Sequence, residues 1–476
     1  MSLLSNAKWN AFSQFFKIGI QVVNLVYLAK IIPPAEYGIM AMAVVITNFG
    51  ILLRDLGTSA AIIQKKELNE NIKNTIFWLN VILGFSLGII IIAISPLIAN
   101  TYEQPELTRV LLFLSIIFPL SSSAATHLAL MERESKFKTI SIIEVTSSLT
   151  SVVFAVVFAN LGYGVYSLVI QSVILNLMSA AQFWLASKWR PSFKVFIHIS
   201  VIKEIFGFSA NLSLFNLINY FSRNTDSFII GKYMSAAILG SYNLAYRIML
   251  FPLQSLTFVA SRSLYPILSQ QQDSDTEIKD IYYNCIFFIL LITMPLMSGI
   301  AIYSYPFVSL VFGSQWNITA EVLQWLAPTA IIQSVLSTTG AVFMAKGRTD
   351  ILMRLGIVGT VLQVSAFIIG AQFSITIFSF CYLIANILNF FPVMYCLLNI
   401  ISGSFLSFFK KISPIVFSSL IMILALKLID FYIIPSGDVQ SILMLTLLST
   451  IGASIYACSL LLFSVEVRMV IIRRVK

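Results

Sequence analysis

Charged side chains are what this sequence has least of: Asp, Glu, Lys and Arg together make up 11% of its 476 residues, against roughly a quarter in soluble domains. The mean hydropathy is +0.91, which excludes water as the solvent of most of the chain. Cysteine is nearly as scarce. The four thiols, Cys285, Cys381, Cys396 and Cys458, lie inside apolar stretches without C-x-x-C spacing, so a packing role is expected rather than redox or metal chemistry. The two histidines, His127 and His198, are isolated from each other, and no metal site is expected. No G-x-x-x-x-G-K-S/T loop occurs, which excludes ATP hydrolysis of the P-loop kind; no cofactor is expected. The first apolar stretch is long, holds Lys17 and lacks a small-residue exit, so it is not read as a cleavable signal.

What the chain does have is apolar runs of roughly 20 residues, each long enough to cross about 30 Å of hydrocarbon as a helix. A barrel would show short alternating segments instead. The runs predict an all-α polytopic membrane protein of about fourteen helices. They fall near 9–29, 37–56, 75–98, 108–130, 138–159, 163–187, 205–230, 237–260, 281–303, 321–344, 351–370, 375–400, 412–431 and 440–464. The net charge of +10 is scattered over short connections and is not gathered into a nucleic-acid-binding face. Alternate connections hold the basic residues, for example Lys65, Lys66 and Lys73, Arg133, Lys136 and Lys138, and Lys346, Arg348 and Arg354. The opposite side keeps Lys30, Arg109, Lys232 and Lys427, so the positive-inside rule places both termini in the cytoplasm. The longest polar stretch, 266–280, reads as a linker between halves, and 303–320 as the longest outer connection. The tryptophans Trp9, Trp78, Trp184, Trp189, Trp316 and Trp325 read mostly as interfacial belt residues.

A repeat runs through the chain. Lys30 to Gly38 resembles Lys232 to Gly240 at a shift of about 202 positions, with Lys30 on Lys232, Ala35 on Ala237 and Gly38 on Gly240. The same shift superposes polar stripes of helices one and seven: Gln14 on Asn216, Lys17 on Asn219, Gln21 on Arg223 and Asn24 on Asp226. Spacings of three and four put each stripe on one helix face. The expected organisation is an N-terminal lobe, 1–200, a C-terminal lobe, 201–400, and a terminal helix pair with a basic tail, 401–476. Parallel repeats of this kind place a substrate site between the halves.

A basic group near mid-bilayer costs roughly 2.5–3.5 kcal/mol on insertion scales, so Lys17, Arg223 and Arg247 are not expected to face lipid. They are read as lining a solvated cavity that attracts an anion such as a pyrophosphate or acidic sugar, with Gln14, Gln21, Asn24, Asn216 and Asn219 serving hydroxyls. The bland alternative is that these groups pair with one another, Arg223 with Asp226 for example, and bind helix to helix. Lys17 has no acid in its own span and is treated as unpartnered. Asp226 is read as a counter-ion in preference to a proton or sodium site. Glu144 and Arg54-Asp55 are assigned to helix ends, where snorkelling or a local ion pair accounts for them.

Several segments resemble the polysaccharide transporter branch of the multidrug/oligosaccharidyl-lipid/polysaccharide flippase superfamily, nearest to colanic-acid-type exporters of the Wzx kind. They are Ala7-Lys-Trp-Asn-Ala11, Ile62-Ile-Gln-Lys-Lys-Glu67, Trp78-Leu-Asn-Val-Ile-Leu-Gly84, Gly240-Ser-Tyr-Asn-Leu-Ala-Tyr246, Leu310-Val-Phe-Gly-Ser-Gln-Trp316 and Met344-Ala-Lys-Gly-Arg348. The likeness covers most of residues 5–400, and Asp226 matches an aspartate of the family's Asn-x-Asp stretch, here Asn224-Thr-Asp226. Arg223 lies outside these motifs. The resemblance implies two six-helix lobes in a V, a cationic cavity and alternating-access export of undecaprenyl-diphosphate-linked oligosaccharide across a bacterial inner membrane. It also implies H+ or Na+ as possible coupling ions, and the polymerase and glycosyltransferases of one pathway as partners. Two other readings stand beside it. A cation-coupled multidrug antiporter of the same superfamily would carry a carboxylate in helix one, and a glycan polymerase or ligase would carry a sizeable outer loop.

Overall fold

The computed structural model describes all residues except 1–2, 56–57, 59–61, 64–67, 194–197, 199–219, 222, 273, 433–438, 440, 466 and 470–476, and leaves out the side chains of 3–12, 15, 55 and 252–263. Among the described residues every regular element is helical. Apolar runs in lipid have no water to satisfy their peptide groups, and a helix satisfies all of them internally. In order these are α1 (Leu3–Ile31), α2 (Pro34–Asp55), α3 (Glu70–Thr101), α4 (Glu106–Leu114), α5 (Ile117–Arg133), α6 (Phe137–Asn160) and α7 (Val165–Ala186). Helical residues 220–221 and 223–233 follow. Then come α8 (Ala236–Gln270), α9 (Asp275–Ile302), α10 (Ser304–Val311), a 3₁₀ turn (Ser314–Trp316), α11 (Asn317–Ala345), α12 (Thr349–Gly370), α13 (Ile375–Ile400), α14 (Phe405–Tyr432) and α15 (Ile442–Phe463).

Eleven helical stretches among the described residues are long and apolar enough to cross a membrane. The chain is a multi-pass membrane protein, and the count of fourteen is not reached by that criterion. Two of the other three expected spans overlap α1 and α8, and of the third, 205–230, most lies outside the described residues. At 1.5 Å per residue α1 measures about 43 Å, longer than the hydrocarbon core.

One local expectation is corrected and two are refined. The run expected at 108–130 is one candidate span, Glu106–Arg133, interrupted at 115–116 between α4 and α5 because Pro119 has no N–H and its ring excludes the Ser115 carbonyl. That carbonyl instead accepts from Phe118 N at 3.2 Å. The polar stretch 266–280 is not a linker: α8 runs to Gln270 and α9 starts at Asp275. Ser274 caps α9, its hydroxyl accepting from Glu277 N at 3.3 Å, and Asp275 and Glu277 sit in the first turn where the helix dipole favours acids. The outer connection 303–320 is filled by α10, the 3₁₀ turn and the start of α11.

The described chain forms two compact units, Met1–Gly240 and Ser241–Lys476. The contact boundary falls after the helical residues 223–233, forty residues beyond the boundary that the repeat suggested. In the first unit α1 packs on α6, α6 on α7, α3 on α5 and α2 on α4. Gly164, at φ +52°, starts α7, and a Cβ there would collide with the Glu36 carboxylate. That carboxylate reaches from α2 to accept from Val165 N, so an acid of one helix caps the next-but-several. In the second unit α9, α11 and α13 pack in succession, α12 covers α13, and α14 lies on α9 with α15 beside it. Its core buries Tyr282, Phe343, Met394 and Phe408. Serine and threonine inside the spans return their hydroxyls to carbonyls three or four residues back, as Ser151, Thr329 and Thr338 do.

The repeat has a physical basis at its glycines. Helices α2 and α8 begin 202 positions apart, at Pro34 and Ala236. A Cβ on Gly38 would collide with the Ala236 carbonyl, and one on Gly240 with the Pro34 carbonyl and Gly38 N. The contact is reciprocal: each glycine meets the first residue of the other's helix. Backbone cannot yield as a flexible side chain can. Gly38→Val and Gly240→Val are therefore expected to abolish a monodisperse, cooperatively melting protein. Gly19→Ala, where nothing stands within 4 Å, should leave the melting temperature within about 2 °C and serves as the control.

Candidate functional site

The α1 stripe survives as geometry. Gln14 and Gln21 are exposed one turn to either side of Lys17, and Asn24 is buried. Lys17 stands at the midpoint of α1, but it is not unpartnered: its Nζ donates to Glu144 Oε2 on α6 at 2.6 Å. Residue spacing could not pair them, because 127 positions separate the two. The signal that could have found Glu144 is energetic, since a mid-span ammonium calls for a counter-ion, and Glu144 is an acid set eight residues into an apolar run. Glu144 is thus not explained by its helix end.

The pair is short and charge-assisted, yet its side chains remain 23% and 39% exposed. Further polar links hold the surrounding helices in register. Asn24 Nδ2 donates to Gln171 Oε1 on α7 at 3.3 Å, Tyr27 Oη to Asn160 Oδ1 at 3.2 Å, and Thr146 Oγ1 to Gln182 Oε1 at 2.7 Å.

A second feature of the first unit lies at the ends of α2 and α5. A cavity of about 410 Å³ is lined by Arg54, Ser121, Glu132, Asn176, Ser179 and Phe183, among others. Arg54 is 8% exposed and its Nη1 donates to Ser121 Oγ at 2.7 Å. Arg54 lies in the last turn of α2, as its position in the sequence suggested, but snorkelling does not describe a guanidinium this buried, because packing of α2 on α4 and α5 covers it.

The tryptophans, read from the sequence as belt residues, also make contacts within the fold. Trp184 and Trp189 enclose the fully buried His127 with Phe77, ring centroids lying 4.6, 5.5 and 6.2 Å from the imidazole. Trp184 Nε1 donates to Ser123 O and Trp189 Nε1 to Glu70 Oε2, and Trp78 Nε1 donates to Ser192 O. Ser192 N donates in turn to Asn74 Oδ1 at 2.6 Å, so the chain after α7 is laced to the start of α3. Trp316 is wholly buried. An indole N–H drawn out of water needs a partner, and Trp78, Trp184 and Trp189 each have one within the fold.

The helix-seven stripe is only partly within view: Asn216 and Asn219 lie outside the described residues. Arg223 is exposed, and Asp226, 5% exposed, accepts from Ser227 N at 2.6 Å. No ion pair joins Arg223 to Asp226 among the described residues, which removes the suggested pairing. Arg247 is exposed on α8 in the second unit and has interactions of its own. Among the described residues no group of His, Cys, Asp and Glu could hold a metal.

The fold and these buried polar groups define an α-helical membrane protein with the architecture of a transporter. It matches a lipid II flippase, MurJ, in an inward closed conformation with a TM-score of 0.76 at 15% identity, over 95% of this chain and 98% of that one. The family model for polysaccharide biosynthesis proteins matches residues 27–321, and the chain belongs to that family. It is 29% identical to the lipopolysaccharide biosynthesis protein WzxC of Escherichia coli (strain K12), over 87% of this chain and 82% of that protein. It is 28% identical to the teichuronic acid biosynthesis protein TuaB of Bacillus subtilis (strain 168), over 73% and 72%.

Since Arg223 and Asp226 are not paired, the stability losses of Arg223→Ala and Asp226→Asn are expected to add in the double variant within about 0.5 kcal/mol. Thermal melts of the four proteins check this, and a markedly milder double variant would restore the pair.

Proposed function

We propose that this chain is a flippase that moves undecaprenyl-diphosphate-linked oligosaccharide repeat units from the cytoplasmic to the outer leaflet by alternating access, for assembly of surface polysaccharide. The observation that carries the reading is a lysine at the midpoint of a membrane-length helix, partly exposed and flanked by exposed amides at Gln14 and Gln21. An ammonium and neutral amides suit a phosphate-bearing, hydroxyl-rich cargo. The names of the similar proteins support it, being those of a lipid II flippase and of polysaccharide biosynthesis proteins. The repeat-related lobes 1–200 and 201–400, with the pair 401–476, are part of the proposal, as are Arg223, Arg247, Asn24, Asn216 and Asn219 as cargo contacts and Asp226 as a counter-ion. The protein sits in the bacterial inner membrane with both termini cytoplasmic, works as a transporter and not as an enzyme, and draws on an ion or lipid gradient or on consumption of its product by the pathway's polymerase.

One observation favours a cation-coupled drug antiporter as second reading: Glu144 supplies a carboxylate beside helix one. Loss of the gene separates the two. The flippase reading expects a lipid-linked repeat unit to build up facing the cytoplasm, with drug sensitivity unchanged. Lys17→Glu, which sets two carboxylates together, is expected to abolish export while the protein remains folded in the membrane; undiminished export would remove Lys17 from the mechanism.

A further inference from the structure

We propose that Glu144 is the selectivity element of the Lys17 site, a resident competitor that a dianionic diphosphate displaces and a monoanionic lipid phosphate does not. The inference rests on the flippase reading. A bare ammonium in a membrane protein would attract every anionic headgroup, and bilayers hold monoanionic phosphodiesters in large excess over any lipid-linked sugar. Here the ammonium is already engaged at 2.6 Å by a carboxylate. That carboxylate is tethered to α6, which packs along α1 and is fixed to it again by the Tyr27–Asn160 hydrogen bond. A tethered partner acts at high effective concentration. Replacing it with a phosphodiester of the same charge gains no Coulomb energy and gives up that advantage. A diphosphate diester brings two charges to one cation, and its sugar can reach the exposed amides of Gln14 and Gln21. The partial exposure of both partners, 23% and 39%, leaves the pair open to exchange, which a sealed pair would not be. Selectivity of this kind comes from an element that opposes the wrong ligand.

The test uses the full chain in phosphatidylcholine nanodiscs, titrated with undecaprenyl-diphospho-N-acetylglucosamine with and without phosphatidylglycerol. In the natural protein phosphatidylglycerol should change the apparent Kd less than about twofold. In Glu144→Gln, which keeps the size and loses the charge, phosphatidylglycerol should weaken glycolipid binding about tenfold, equivalent to about 1.4 kcal/mol. Lys17→Gln should lose glycolipid binding in both bilayers. Glu144→Gln that stays as indifferent to phosphatidylglycerol as the natural protein would overturn the proposal. If Glu144→Gln yields no folded protein, Glu144→Asp serves, whose shorter arm loosens the pair: intermediate sensitivity to phosphatidylglycerol supports the proposal, and unchanged indifference overturns it. Failure of the natural protein to bind the glycolipid in phosphatidylcholine alone is a different result, because it removes the flippase reading itself and the inference with it.

Discussion

The interaction on which the site depends is one ammonium held against one carboxylate inside a membrane-length helical bundle, Lys17 on Glu144. An isolated charge at that depth would be dragged toward the interface or force the helix out of place. Paired, it can remain at the midpoint of α1, and the amides one turn above and below it remain presented. The rest of the first unit keeps this pair in register. Amide and hydroxyl bonds from Asn24, Tyr27 and Thr146 lock α1, α6 and α7 at intervals along their length, and Glu36 caps the start of α7 from α2.

Polar groups inside the spans therefore fall into two kinds. Many serines and threonines are spent on their own helix, their hydroxyls returned to carbonyls within one turn, and they carry no information about cargo. The other kind crosses between helices: Lys17 to Glu144, Arg54 to Ser121, Gln333 to Tyr382 at 2.6 Å. In a low-dielectric setting such links fix helix rotation, because a small turn of either helix would strand a polar group. Arg54 adds a cavity to its link, which sets it apart from the purely structural crossings.

Backbone proximity supplies the other constraint. Gly38 and Gly240 meet each other's helix starts so closely that no side chain fits at either, and the internal repeat records that reciprocal fit. The second unit is organised differently, around a large aromatic and aliphatic core. Lys346 there pairs with Asp275 at 2.7 Å, and Asp275 also accepts from Ser402.

Periodicity and the scarcity of charge were enough to determine, from the sequence alone, that this is an all-helical membrane protein. Most span boundaries follow to within a few residues, since the length of an apolar run is dictated by bilayer thickness and by the internal hydrogen bonding of a helix. The stripe Gln14, Lys17, Gln21, Asn24 was legible for the same reason, being a matter of spacing along one helix. What only the tertiary structure decided is which helix faces which: that Glu144, 127 positions away, answers Lys17, that Arg54 is buried beside a cavity, that Trp184 and Trp189 close around His127, and that Arg223 does not bind Asp226. Those outcomes depend on helix rotation and packing, on which a local pattern of residues along the chain places no constraint.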